Sequence, residues 1–100
     1  MNYELVLREK AVNELHEAYL WYEQKQNGLG DKFLKSVSDF QEVILKNPHS
    51  FKTTYKIFKE VWLRKFPFLL VYFIDEKKNK IVIVSVFHTS RNPKKKLRSS

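Results

Sequence analysis

The apolar positions change their period once along the chain. "YELVL", Tyr3 to Leu7, alternates and predicts a short strand. Apolar residues then recur at Ala11, Val12, Leu15, Ala18, Tyr19 and Tyr22, the spacing of one helix face, which assigns Glu14, Glu17 and Glu23 to the opposite side. Asn27-Gly28 supplies a stop, and Gly30-Asp31 a restart with Asp31 as N-cap. A second stripe runs through Phe33, Leu34, Val37, Phe40, Val43 and Ile44. Lys46 suits the negative C-terminal end of that helix, and Pro48 ends it. Two amphipathic helices joined by so short a link form an antiparallel hairpin.

From Phe51 the helical spacing is lost. "TYKIF", "VWLRKF", "FLLVYFI" and "KIVIVSVFH" read as strands, with a short connection at Lys59-Glu60, a break at Pro67 and a polar turn from Asp75 to Asn79. Links this short make consecutive strands antiparallel. The expected fold is α+β: a small antiparallel β-sheet with an N-terminal helical hairpin packed on one face, in the order β-α-α-β-β-β-β. The runs at 69–74 and 81–87 are almost continuously apolar, and strands of that kind are covered on both faces. One helical hairpin covers one face. The other is expected to need the terminal tail, another chain or a dimer mate, and an apolar patch left open marks an interaction surface.

With 100 residues, the chain has room for one domain, placed at 1–93, and a basic tail at 94–100 that is expected to be flexible. A 43% apolar content with only two glycines and three prolines fits a globular chain. The absence of cysteine excludes a disulfide scaffold, a thiolate zinc site and a cysteine nucleophile, and it fits a reducing cytoplasm. "MNYELVLREK" carries charges and no long apolar region, so no signal peptide is expected. The apolar runs are too short to cross a bilayer as helices, and no membrane role is expected. The net charge is +8, and five basic residues with no acid lie between Arg91 and Arg98, leaving +3 for the remainder. That balance favours a polyanionic partner surface.

The chemistry on offer is narrow. His16 and His49 stand alone, no histidines or carboxylates have metal-ligand spacing, and there is no glycine-rich phosphate loop. Neither a metal nor a cofactor is expected. What remains is a set of cations on the late strands: Lys56, Lys59, Arg64 and Lys65, with His88 and Arg91 closing the last. Antiparallel neighbours can bring such residues to one rim. A cluster of that composition holds a phosphodiester and stabilises added negative charge, and a histidine within it can move a proton. The helical stripe assigns Tyr22 to the core. Trp21 and Trp62 suit core or interface burial better than base stacking.

"WYEQKQNGLGDKF" at the helical turn, "NPHSF" after the second helix, "RKFPFLLVYFID" and the closing "VFHTSRNP" together resemble the RelE/ParE superfamily of toxins from bacterial type II toxin–antitoxin modules. The resemblance runs from Tyr3 to Pro93 and is closer to the ParE-like, plasmid-stabilisation branch. It implies a cognate antitoxin, a toxin–antitoxin hetero-oligomer and growth inhibition. ParE-like members act on DNA gyrase. RelE-like members cleave messenger RNA on the ribosome with basic and aromatic side chains. Several RNA-cleaving members carry an arginine just before the "LVY" segment and a tyrosine after the histidine, where this chain has Leu69 and Thr89. His88 matches, and Arg64 lies near enough to supply a displaced cation. The resemblance therefore favours action on gyrase, with Lys56, Lys59, Arg64, Lys65, His88 and Arg91 as target-binding residues. A ribosome-dependent endoribonuclease, with His88, Arg64 and Arg91 catalytic, is the alternative. A non-toxic binding module on the same fold is a third reading.

Overall fold

A computed structural model describes residues 2–90. The elements are β1 (Glu4–Leu7), α1 (Glu9–Lys25), α2 (Leu29–Lys46), β2 (Thr53–Tyr55), β3 (Phe58–Trp62), β4 (Phe68–Asp75) and β5 (Lys80–His88). The strands form one sheet in the order β1-β5-β4-β3-β2. From β2 to β5 it is an antiparallel meander, as the short links require. At the other edge the expected antiparallel sheet is corrected to a mixed one. There β1 runs parallel to β5, with Glu4 opposite Lys80 and Leu7 opposite Ile83. Both helices and three strands separate β1 from β5 in the chain, so no hairpin link fixes their relative direction.

Two local expectations also change. Lys59-Glu60 is no connection; it lies inside β3, and the turn falls at Lys56-Ile57, where Lys56 adopts a φ of 53°. "TYKIF" is thus a hairpin closing Tyr55 onto Phe58, without the glycine or asparagine that usually marks a positive φ. The second helix starts at Leu29, before Asp31, and Gly28 at its N-cap has a φ of 87°. Glu23 explains the early start. Its carboxylate accepts the N–H groups of Gly28 at 2.9 Å and Gly30 at 3.0 Å. These are donors that the first turn of a helix leaves unpaired, and a side chain from the preceding helix meets them. Glu23 is therefore not on a solvated face. Gly30 also sets the closeness of the hairpin, since a Cβ there would lie 2.8 Å from both the ring and the carbonyl oxygen of Tyr19.

The helices pack on one face of the sheet, where Phe33, Ile44, Leu70, Tyr72, Ile81 and Ile83 are wholly buried. On the other face Leu69, Val71, Val84 and Phe87 form a second buried cluster. At its edge Phe58 meets Phe73 edge-on at 5.9 Å, and the Arg8 guanidinium lies over the Phe73 ring at 5.3 Å. Both faces are covered, as the apolar runs require, but inside a single chain. The expected bare face awaiting another chain is not there. Exposed apolar groups remain: Val12, Leu20 and Trp21 on α1, Leu34 and Val43 on α2, Tyr55 and Ile57 at the β2–β3 hairpin, and Trp62 at the end of β3, opposite Leu69. At the far end of α2, the Tyr72 hydroxyl donates to the Pro48 carbonyl at 2.7 Å and ties the helix exit to β4.

Two outcomes are expected. Gly30→Ala forces Tyr19 and the hairpin apart and lowers stability by about 1–3 kcal/mol; a chemical-denaturation midpoint equal to that of the parent would refute the contact. Burial raises the Tyr72 pKa from its ordinary 10.0 to about 12. Between those values the unfolded chain has released the proton and the folded chain has kept it, so stability falls as pH rises. The loss across the window is roughly 2–3 kcal/mol. Tyr72→Phe gives up about 1 kcal/mol at neutral pH and flattens the alkaline decline. Urea unfolding across the window, showing the same slope in both proteins, would rule Tyr72 out as its source.

Candidate functional site

"FPF" builds the end of the sheet that the sequence singles out. Phe66 and Phe68 both enter an aromatic cluster with Tyr22 and Phe33: Phe66 lies 5.0 Å from Tyr22 and 5.3 Å from Phe33, and Phe68 lies 5.0 Å from Phe33, between ring centroids. Pro67, between them, turns its carbonyl to the Thr89 N–H at 2.9 Å. The β3–β4 loop is thereby fastened to the end of β5. Here His88 stands opposite Phe68 in register, with its ring edge-on to the Phe68 ring at 4.9 Å.

The His88 ring has a fixed orientation. Its Nδ1 accepts the Ser90 backbone N–H at 3.1 Å and lies 2.7 Å from Ser90 Oγ. A backbone N–H only donates, so Nδ1 is an acceptor, and the proton of the neutral ring sits on Nε2. A general base acting through Nε2 would carry its proton on Nδ1, against the Ser90 N–H. In this geometry His88 presents a donor.

The remaining predicted cations do not share one rim. Arg64 and Lys65 are exposed in the loop between β3 and β4, at the His88 end of the sheet; the sequence places both on a strand, and the structure corrects this, because β3 ends at Trp62. Lys59 pairs with Tyr72, four positions along β4 from Phe68, or roughly 13 Å at strand spacing. Its Nζ is already committed, donating to the Phe51 carbonyl at 2.9 Å and to Thr53 Oγ1 at 3.1 Å. Lys56 stands at the hairpin tip, 5.2 Å over the Tyr55 ring. The structure thus puts Arg64 and Lys65 at the same end of the sheet as His88 and sets Lys56 and Lys59 apart. Arg91 and the lysine run lie outside the described residues.

Sequence reasoning placed Glu14 on the solvated side of its helix, and the structure corrects this. β1 pairs only with positions 80–83 of β5, so beyond Ile83 the outer edge of β5 has no neighbouring strand. Glu14 fills that place. Its Oε1 accepts the Val86 N–H at 2.9 Å and the Ser85 hydroxyl at 2.8 Å, while Oε2 pairs with Lys10 Nζ at 3.1 Å. Lys10 also donates to Ser85 Oγ at 3.0 Å. Ser85 is wholly buried, and the Glu14 side chain is only 15% exposed. The overlooked signal is Ser85 itself, a lone hydroxyl in "IVIVSVF" that needs a buried partner.

Between this flank of α1 and the end of β5 lies an open groove of about 330 Å³, whose walls include Glu17, Ala18, Trp21, Phe68, Val86 and His88. Among the described residues, no group of three or more histidines and carboxylates is placed to hold a metal ion. No helix among them is long and apolar enough to cross a membrane.

Comparison with known proteins bears on the family and the fold. The family model of the ParE toxin of type II toxin–antitoxin system, parDE, matches residues 5–93. The fold is similar to the chromosomal ParDE system of P. aeruginosa, with a TM-score of 0.66 and 19% identity over 88% of this chain and 97% of that one. It is similar to the E. coli RelBE toxin–antitoxin complex, with a TM-score of 0.69 and 21% identity over 89% of this chain and 99% of that one. The isolated E. coli RelE toxin gives a TM-score of 0.67 and 20% identity over 93% of this chain and 90% of that one. No curated protein matches at a stringent threshold.

The buried triangle makes a graded prediction. Glu14→Ala removes the carboxylate that pairs with Lys10 and leaves the Val86 N–H without that acceptor, and it costs about 3–5 kcal/mol. Glu14→Gln keeps an acceptor and costs less, and Glu17→Ala stays within about 0.5 kcal/mol. Thermal unfolding of the three variants gives the ranking, and equal effects at Glu14 and Glu17 would refute it.

Proposed function

This chain belongs to the ParE toxin family of type II toxin–antitoxin systems, and from that footing we propose that it arrests growth by ParE-like action on DNA gyrase until a cognate antitoxin binds it. The family match from 5 to 93 carries the proposal. An antitoxin partner accords with the toxin–antitoxin complexes of E. coli and Mycobacterium tuberculosis that share its fold. A role in plasmid stabilisation belongs to the same reading.

Three features of the site favour gyrase over RNA cleavage. His88 presents a donor where a cleaving base would be wanted. Lys59 is engaged with the β2 segment. Leu69, where several RNA-cleaving members carry an arginine, is buried in an apolar cluster with Val71, Val84 and Phe87. The target surface proposed here is the end of the sheet bearing Arg64, Lys65 and His88, continued by Arg91. Lys56 and Lys59 contribute less. The lysines after Pro93 add screened, long-range attraction, and the Arg91 guanidinium adds planar, directed donors.

Induced expression is expected to stop growth, and the purified toxin to inhibit gyrase supercoiling while ribosome-bound messenger stays intact. Arg64→Ala with Lys65→Ala, and Arg91→Ala alone, each weaken target affinity about tenfold or more. Removal of Lys94 to Ser100 weakens it modestly, and less as salt rises. Site-specific messenger cleavage on ribosomes, lost in His88→Ala or Arg64→Ala, would assign the RelE-type reaction instead. An intact supercoiling reaction and normal growth would leave the protein a non-toxic binding module.

A further inference from the structure

The groove beside α1 shares His88 with the cationic end just described, but the rest of its chemistry is opposite in sign. It lies on the helix side of β5, beyond the last residue of β1. Trp21, 55% exposed, stands at its mouth, with Phe68 and Val86 inside it. The Glu17 carboxylate lies along one wall, next to the Lys10-paired Glu14. His88 turns a ring wall to the groove, with its proton on Nε2, because Ser90 occupies Nδ1. In a chain of net charge +8, this is a carboxylate-edged aromatic recess. Trp21 already draws a cation: Lys25 Nζ lies 4.6 Å over its ring.

From this geometry we propose that the groove docks a protein segment that presents an arginine beside an apolar side chain. Charge complementarity chooses the occupant. A nucleic acid would bring phosphate against Glu17. A guanidinium can lie flat on the Trp21 ring and still give paired hydrogen bonds to the Glu17 carboxylate, which an ammonium cannot do. The apolar neighbour takes the space over Phe68 and Val86. The His88 Nε2–H is a donor for a carbonyl of the segment's backbone. The proposal does not depend on gyrase being the target.

The net charge makes the test selective. A basic peptide is repelled by the molecule as a whole, so its binding reports the local recess. An acidic peptide is attracted everywhere, and that attraction is lost in salt. The probes are blocked tripeptides with arginine, alanine or glutamate between two leucines, titrated into the full chain carrying Trp62→Phe, so that Trp21 alone reports. Trp21 fluorescence and the His88 ring signals in NMR are followed.

The arginine peptide is expected to saturate both signals and to bind about fivefold more tightly than the alanine peptide. Its affinity should hold or rise from about 0.05 to 0.3 M salt while that of the glutamate peptide falls. Glu17→Gln should erase the preference for arginine without affecting the fold. No saturable change up to roughly 10 mM peptide, a weak affinity of under 3 kcal/mol, would overturn the proposal. So would equal binding of all three peptides, retention of the preference in Glu17→Gln, or shifts confined to residues away from Trp21 and His88. Growth arrest is not a readout here, so failure of the groove and failure of the toxin assignment are told apart.

Discussion

The outer edge of β5 has to be satisfied beyond the point where β1 stops. β1 pairs with only the first four residues of a nine-residue strand. The backbone groups past Ile83 would otherwise be buried under α1 without partners, at a cost that native structures rarely carry. Glu14 meets that need at Val86 with one carboxylate oxygen, which also accepts the Ser85 hydroxyl, while Lys10 neutralises the other oxygen. A helix side chain thus does the work of a missing strand, and an exposed edge is removed in the process. Because the carboxylate reaches a fixed backbone position, it also sets where α1 lies over the sheet.

That anchoring explains why α1 shows so narrow an apolar stripe. Only Ala11, Ala18 and Tyr22 are buried along its length, and two of these are small enough to bring the helix close to the strands. Glu14 and Glu23 are nine positions apart, which at about 100° per residue puts them on opposite flanks. One flank is fastened to the edge of β5, and the other caps the start of α2 through the N–H groups of Gly28 and Gly30. Hydrogen bonds to charged acceptors are stronger than neutral ones, so the helix is held with a modest apolar contact. α2 behaves in the usual way, burying Phe33, Val37 and Ile44 along one stripe.

Features set by period were legible before the structure, and those set by a partner distant in sequence were not. The strand limits of "KIVIVSVFH" and the helical hairpin follow from spacing alone. The demand for cover on both sheet faces also followed from "FLLVYFI", though what meets it is the chain itself. The parallel pairing of β1 was hidden because the residue pattern of a four-residue edge strand carries no direction. Lys56 concealed a turn because a lysine seldom takes a positive φ. Glu14 and Glu23 looked solvated because a helical wheel ranks charge as outward and cannot know of an unpaired N–H across the fold. At the site, the strand end carrying His88 was legible, whereas the loop position of Arg64 was not. The gathering of Lys56 and Lys59 with them failed, since neighbouring strands do not bring together residues that lie at different heights along the sheet.

The two functional surfaces argued for this molecule share one rigid frame. The Thr89 N–H to Pro67 carbonyl bond fixes the loop bearing Arg64 and Lys65 to the end of β5. The same strand end carries His88, whose ring forms a wall of the acid-edged groove and packs on Phe68. Phe68 belongs in turn to the aromatic cluster that joins Tyr22 of α1 to Phe33 of α2. A cationic loop on one side and a carboxylate-edged recess on the other are therefore separated by packed rings rather than by a flexible link. Opposite charges held apart in this way do not collapse onto each other as a surface ion pair. Each keeps its own sign, and a protein of strongly positive net charge thereby retains a local acidic recess.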